Sequence, residues 1–449
     1  MLLEFSVENF MSFKKISTLS MISSSGRELP EHVIHWGKSK KPNLSINRVA
    51  ALFGANASGK SNFLEALYRM KGFVTRFGLR LPESEHPLKS EKPLQYTSFK
   101  LVPHDAPAVP TTFQVIFTSS NNIYRYGFSY TEKMFTREWL YVRSDVKKEE
   151  QTIFYRTDDT IECEDELMQH ARHVTGLNLF LTVLAELNVD NYVSLISFFQ
   201  NMRFRQGYRF DVTDIMSVID EGDFTLVSSV LEFVDTGLSG VIKEDLKEDL
   251  DELKSHSSNI PEKAKKLLEA LEEYIEPMIK EKLAYKILFQ HNIFDNNAAA
   301  LKKFNLSAQE ESRGTIVFIG IIANIISALK NNSIIVIDEL DASLHPLLVE
   351  GIIKLFINTE KSSAQILFSS HCPFIFDQNK IRRDELWVVE KNNGESDIFS
   401  ASDFKARGDG NLAKQYMEGK FGGIPVIQYK HLETCSDKIS ALIDTKTQE

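Results

Sequence analysis

The chain has 449 residues, 43% of them hydrophobic, enough for a large core divided among two or three domains. Its formal net charge of −10 argues against a protein that grips nucleic acid over a wide basic face. Cys163, Cys372 and Cys435 are too few and too scattered for a disulfide framework or a zinc cluster. No leader pattern opens the chain, and the longest apolar run, Ile316 to Leu329, is shorter than a membrane span. The expectation is a soluble cytoplasmic protein.

Leu3 to Phe13 reads as a first strand followed by the turn Asn9-Phe10-Met11-Ser12-Phe13. Val49-Ala50-Ala51-Leu52-Phe53 is a short apolar run suited to a buried strand. It leads into Gly54-Ala55-Asn56-Ala57-Ser58-Gly59-Lys60-Ser61, a full match to the phosphate-binding loop G-x-x-x-x-G-K-[ST]. Glycines are needed there because the backbone must wrap closely around phosphate with its N–H groups inward. Lys60 is placed to reach the terminal phosphates and Ser61 to put its hydroxyl on Mg²⁺. Asn62 opens a helix whose N-terminus faces the phosphates. The expected ligands of Gly54, Asn56, Ala57, Ser58, Gly59, Lys60, Ser61 and Asn62 are therefore ATP and its Mg²⁺.

Phe113–Phe117 and Ile123–Tyr130 flank a hairpin turn over Ser119-Ser120-Asn121-Asn122. Residues 161–283 read as a helical insertion. Leu246, Leu250 and Leu253, then Leu268, Leu271 and Ile275, give two apolar stripes separated by Ser255–Pro261, the pattern of a short helical hairpin. Arg203-Phe204-Arg205-Gln206-Gly207-Tyr208-Arg209 alternates cations with aromatics. It is either a base-stacking patch or, more simply, a turn with exposed arginines.

Before the apolar helix from Thr315, two serines compete as the phosphate-facing cap, Ser312 followed by Gly314, and Ser307. Ser312 is preferred because it immediately precedes the helix. Ser333–Glu339 is a second aliphatic strand, ending in two carboxylates. Asp338 is expected in the Mg²⁺ shell and Glu339 beside the attacking water. Asp341-Ala342-Ser343-Leu344-His345-Pro346 and the strand Ala364–His371 follow.

The order of loop, long gap, signature, Asp338-Glu339 strand, Leu344-His345-Pro346 tract and strand-end histidine resembles the ABC-type ATPases of the SMC, RecF and OLD-like branch. The segment Leu306–Thr315 departs from the usual L-S-G-G-Q signature. The opening turn Asn9–Phe13 is similar to that of RecF-like ATPases, and Tyr416–Pro425 together with Glu311-Ser312-Arg313-Gly314-Thr315 resembles the RloA/AbiL-type stand-alone ATP-binding proteins of bacteria.

That resemblance implies an α/β ABC/SMC-like P-loop ATPase head with an antiparallel β-lobe and a helical insertion. It implies His371 as the switch histidine sensing the terminal phosphate. It implies a homodimer or higher even-numbered oligomer, a separate nuclease-like or toxic effector, and an anti-phage role; a RecF-like DNA-repair or recombination ATPase and a non-hydrolysing, ATP-clamped scaffold are the alternatives. The domain expectation is an N-terminal core half over 1–160, the insertion over 161–283, a C-terminal core half over 284–427 and a frayed polar tail over 428–449. A glutamine lid belongs to such a core; Gln95 is a weak candidate and the role is left unassigned. Only 78 residues follow His371, so no fused nuclease is expected.

Overall fold

The computed structural model describes the chain apart from residues 25–27, 38–43, 76–93, 104–106, 108, 147, 159, 190, 208–214, 217–223, 232–236, 246–284, 295–299, 378, 405–411, 426–428 and 447–449. The chain opens with β1 (Leu2–Glu8) and β2 (Ser17–Ser20), the pair β3 (Val33–Trp36) and β4 (Leu44–Asn47), then β5 (Val49–Phe53) and α1 (Lys60–Val74). Next come β6 (Thr111–Ser119), β7 (Asn122–Tyr130), β8 (Phe135–Arg143), β9 (Gln151–Thr157) and β10 (Thr160–Cys163). Short helices α2 (Asp165–Ala171), α3 (Phe180–Glu186) and α4 (Tyr192–Gln200) lead into β11 (Met202–Gln206).

After α5 (Phe224–Leu231) come β12 (Leu238–Asp245), β13 (Tyr285–Phe294) and β14 (Ala300–Ser307). The last third holds α6 (Arg313–Lys330), β15 (Ile334–Asp338), α7 (Pro346–Asn358), β16 (Gln365–Ser369), β17 (Leu386–Asn392), β18 (Glu395–Ser400), α8 (Leu412–Met417) and α9 (Tyr429–Lys446).

A six-stranded sheet with the order β11-β15-β16-β5-β17-β18 carries the loop and the carboxylate strand. Its first five strands are parallel and β18 returns antiparallel. Side chains of a strand alternate between its faces, and here each face feeds a separate core. Ala50, Leu52, Val336, Leu367 and Val389 face a core shared with α1, α3, α4 and the seven-stranded antiparallel sheet β10-β9-β8-β7-β6-β1-β2. Val49, Ala51, Phe53, Ile335, Ile337 and Phe368 face the opposite core, filled by α6, α7 and α8. The central strands are therefore apolar on both faces, which is why they read as continuous aliphatic runs. The β6–β7 hairpin turns where expected, with Ser120 and Asn121 at φ 47° and 64° as a two-residue hairpin requires.

α6 is the one helix among the described residues that is long and apolar enough to cross a membrane; in this fold it is a core helix, buried from Ile316 to Ala328.

The stretch expected as a helical insertion is crossed by the core sheet. β11 pairs with β15, and β12 joins β13 and β14 in a small antiparallel sheet. Short helices do fill much of 165–200, but the five residues of β11 that follow are too few to show a period of their own. The expected helical hairpin lies within 246–284, outside the described residues. The tail expected to be frayed contains α9, along which Tyr429, Leu432 and Ile439 are exposed.

Candidate functional site

The phosphate-loop residues join β5 to α1, so the loop stands at the carboxyl end of a central parallel strand, where such sheets bind ligands. Gly54 and Gly59 adopt φ 153° and 120°. A Cβ on Gly54 would lie 2.3 Å from the Val389 carbonyl oxygen, and one on Gly59 would lie 2.5 Å from Ser396 Oγ and 2.9 Å from Ser12 Oγ. Both positions therefore exclude any side chain.

The loop is braced from behind. Ser396 Oγ donates to the Ser58 carbonyl at 2.5 Å, Ser396 N–H donates to the Ser12 carbonyl at 2.7 Å, and Asn62 Nδ2 donates to Ser12 Oγ at 2.8 Å. Ser12 belongs to the opening turn, so that turn is part of the site's support. Sequence reading passed over its contact and missed Ser396 altogether.

Lys60 is 5% exposed. Its ammonium donates to the carbonyls of Gly54 at 2.8 Å and Ala55 at 3.1 Å. Burial draws its pKa down to about 8, against the opposing pull of Asp338, Glu339 and Asp341. Ser58 Oγ is buried with no hydrogen-bond partner. An orphaned hydroxyl and a desolvated ammonium facing carbonyls both suit a polyanion, and the fit to a nucleotide phosphate chain rests on them.

Two clefts share Ser61 and Asn62. One, about 640 Å³, is lined by the loop from Asn56 to Asn62 with Glu339, Asp341, His371 and Lys391. The other, about 500 Å³, is lined by Asp338, Gln206, Phe204 and Tyr68 among others. Of the residues expected at the site, Asn56, Ala57, Ser58, Gly59, Lys60, Ser61, Asn62, Glu339 and His371 line the first, and Asp338 the second. Among the described residues there is no cluster of three metal-binding side chains. Were Mg²⁺ bound, Ser61 and Asp338 would supply a few oxygens and phosphates and water the rest.

The carboxylate tip is held by a residue whose role the sequence did not reveal. Ser369, at the end of β16, is fully buried and bridges two strands. Its hydroxyl donates to Asp338 Oδ1 and accepts the Glu339 N–H at 2.7 Å. Its carbonyl accepts the Leu340 N–H at 3.0 Å. Glu339 sits at φ 56°, and a Cβ on Gly207 would lie 2.0 Å from the Glu339 carbonyl oxygen. The His371 N–H donates to both carboxylate oxygens of Asp341, at 3.0 and 3.3 Å. Burial and the Lys60 charge lower the His371 pKa, which favours neutral imidazole at pH 7. Burial pushes the neighbouring Cys372 thiol up, away from reactivity.

Gln206 stands opposite Asp338 in the parallel β11–β15 register. Gln95, the weak candidate for a glutamine lid, instead accepts a hydrogen bond from Arg69 and is not among the residues lining either cleft. The basic-aromatic run is β11 rather than a turn up to Gln206, with Phe204 packed edge-on against Tyr68 at 5.2 Å between ring centroids.

Ser312 and Gly314 are not among the residues lining the loop cleft. Ser312 caps α6, its Oγ accepting the Thr315 N–H at 3.1 Å. Ser307 ends β14, and its hydroxyl is spent on the Glu310 carboxylate at 2.8 Å.

Sheet order, phosphate loop, carboxylate strand and antiparallel lobe together form a P-loop NTPase fold. Residues 49–164 and 243–377 match the family described as "AAA domain, putative AbiEii toxin, Type IV TA system". They span more than half of the chain, which belongs to that family. No curated protein matches the chain significantly.

Similar solved structures include an SMC head domain from Thermotoga maritima, with TM-score 0.38, 14% identity, and coverage of 89% of this chain and 98% of that one. An SMC head bound to the C-terminal winged-helix domain of ScpA gives 0.38 and 14%, covering 89% and 97%. A Pyrococcus furiosus SMC head with an extended coiled coil, bound to the C-terminal domain of ScpA, gives 0.35 and 13%, covering 93% and 98%.

Proposed function

We propose that this protein is a Mg²⁺-dependent ATPase of the bacterial cytoplasm that works as a head-to-head homodimer and controls a separate toxic effector in an anti-phage defence system of RloA/AbiL type. The observation that carries the reading is the division of the motif set. Lys60, Ser61, Glu339 and His371 line one cleft, whereas the capped signature at Ser312 and Gly314 is not among its lining residues. A second copy would complete the cleft.

Bound Mg²⁺, held by Ser61 and Asp338, would supply charge neutralisation at the phosphates. Lys60 exchanges its two carbonyl partners for phosphate oxygens. Glu339 takes the proton of the water that attacks the terminal phosphorus, as the bond from that phosphorus to the bridging oxygen breaks and ADP leaves with the electron pair. Neutral His371 donates a hydrogen bond to that phosphate, and Ser312 of the second copy closes the site. Gln206, beside Asp338, is the better candidate for the glutamine lid. Positioning and charge neutralisation dominate such chemistry, so a lone subunit should be a poor enzyme.

The family's own description couples the domain to toxin systems, which supports the effector part of the reading. The net charge of −10 favours a protein partner over broad DNA contact.

The test uses purified Glu339→Gln and Ser312→Arg. The first should retain ATP, lose turnover and accumulate as an ATP-bound dimer. The second should bind ATP as a single subunit yet neither dimerise nor hydrolyse. Normal turnover in either variant defeats its assigned role.

A further inference from the structure

One hydrogen-bonded chain sits directly behind the signature. His291 on β13 lies 2.7 Å, Nε2 to Oε2, from Glu311. The other oxygen of the same carboxylate accepts the Ser312 N–H at 2.8 Å. Glu311 is mostly buried and His291 about three-quarters so. His291 itself is fixed in the middle of the three-stranded sheet, opposite Leu238 on one side and Phe304 on the other.

This arrangement places an anion beside the helix end at which another anion is meant to land. A carboxylate is attracted to the N-terminus of α6 for the same reasons a phosphate is. Freed from its outer partner, Glu311 has the reach of two side-chain carbons to turn onto the α6 cap itself. It would then compete with a phosphate for the Ser312 hydroxyl and the first-turn amides. Gripped at Oε2, it is confined to one rotamer, in which its only task is to orient the Ser312 N–H.

We propose that His291 is a positioning residue for ATP hydrolysis. By clamping Glu311 it fixes the signature turn and keeps that carboxylate out of the seat for the partner copy's terminal phosphate. The inference rests on Ser312 being the residue that meets that phosphate.

The test uses full-length protein and four variants: His291→Ala, His291→Gln, Glu311→Gln with His291→Ala, and Ser312→Arg as reference. His291→Ala should lower kcat roughly tenfold or more, the weight of one hydrogen bond to a charged group. ATP binding by the single subunit, read with a fluorescent nucleotide, should stay unchanged, because the phosphate loop lies on other elements. In a Glu339→Gln background, ATP-driven dimerisation should weaken in parallel.

His291→Gln, which retains a donor, should restore most of the turnover. Glu311→Gln should rescue His291→Ala, because an amide no longer competes with phosphate. A merely structural histidine would show its loss and its rescue in the urea midpoint, whereas a positioning one shows them in kcat at an unchanged midpoint. If His291→Ala does not fold, His291→Asn, too short to reach Glu311, replaces it.

Wild-type kcat in His291→Ala while Ser312→Arg is dead overturns this inference alone. Failure of the double variant to exceed His291→Ala overturns it as well. An active Ser312→Arg overturns the composite site and this inference with it.

Discussion

Ser369→Ala removes one oxygen from the middle of the carboxylate tip. The lost hydroxyl donates to Asp338 Oδ1 and accepts the Glu339 N–H. A hydrogen bond to a charged group contributes about 1.5–3 kcal/mol and a neutral one about 0.5–1.5 kcal/mol. The alanine leaves a cavity no larger than a hydroxyl, so packing loss is minor beside these terms. Part of the loss falls on folding and part on the positioning of Asp338 and Glu339.

If the charged bond alone is spent on positioning, turnover falls by roughly ten- to a hundredfold. Steady-state ATP hydrolysis measures the first effect and urea denaturation the second. ATP affinity at low Mg²⁺ should change little, because Lys60 and the loop are untouched. A kcat within a factor of two of wild type would mean that Asp338 and Glu339 are held without Ser369, and the bridging argument fails.

Nucleotide affinity should depend on pH through Lys60. Its pKa is about 8 in the nucleotide-free protein and must be higher when phosphate pairs with it. ATP binding therefore takes up a proton above pH 8, and affinity should be constant below that value and fall up to about tenfold per unit above it. Calorimetry in buffers of different ionisation enthalpy reads this directly, and a flat profile to pH 9.5 would show that Lys60 is not depressed. Gly207→Ala should abolish hydrolysis with the fold retained, because its Cβ would lie 2.0 Å from the Glu339 carbonyl oxygen and one of the two must move. Circular dichroism with ATPase assays checks it, and an active variant would show that the tip tolerates displacement.

The strand, turn and helix that carry the candidate loop were legible in the sequence because their determinants are local. Eight consecutive residues make the phosphate loop, and the strand before it and helix after it are set by neighbouring side chains. The aliphatic strand that leads to Asp338 and Glu339 was legible for the same reason. The β6–β7 hairpin announced itself through its turn residues.

What the tertiary structure decided is which distant segments meet. β11 lies 132 residues before the strand it pairs with, and nothing in its five residues names that neighbour. Only the parallel register puts Gln206 opposite Asp338 and Gly207 against Glu339. Ser369 was visible merely as a small residue ending a strand, because a serine's partners depend on what the sheet order brings within reach. Of the two serines, the sequence already favoured Ser312 by its place immediately before the helix; the tertiary structure adds that Glu310 takes the hydroxyl of Ser307 while Ser312 caps α6. Local chemistry is written in adjacent residues, whereas the supports of a site come from strand pairings across the whole chain, which a single sequence does not specify pair by pair.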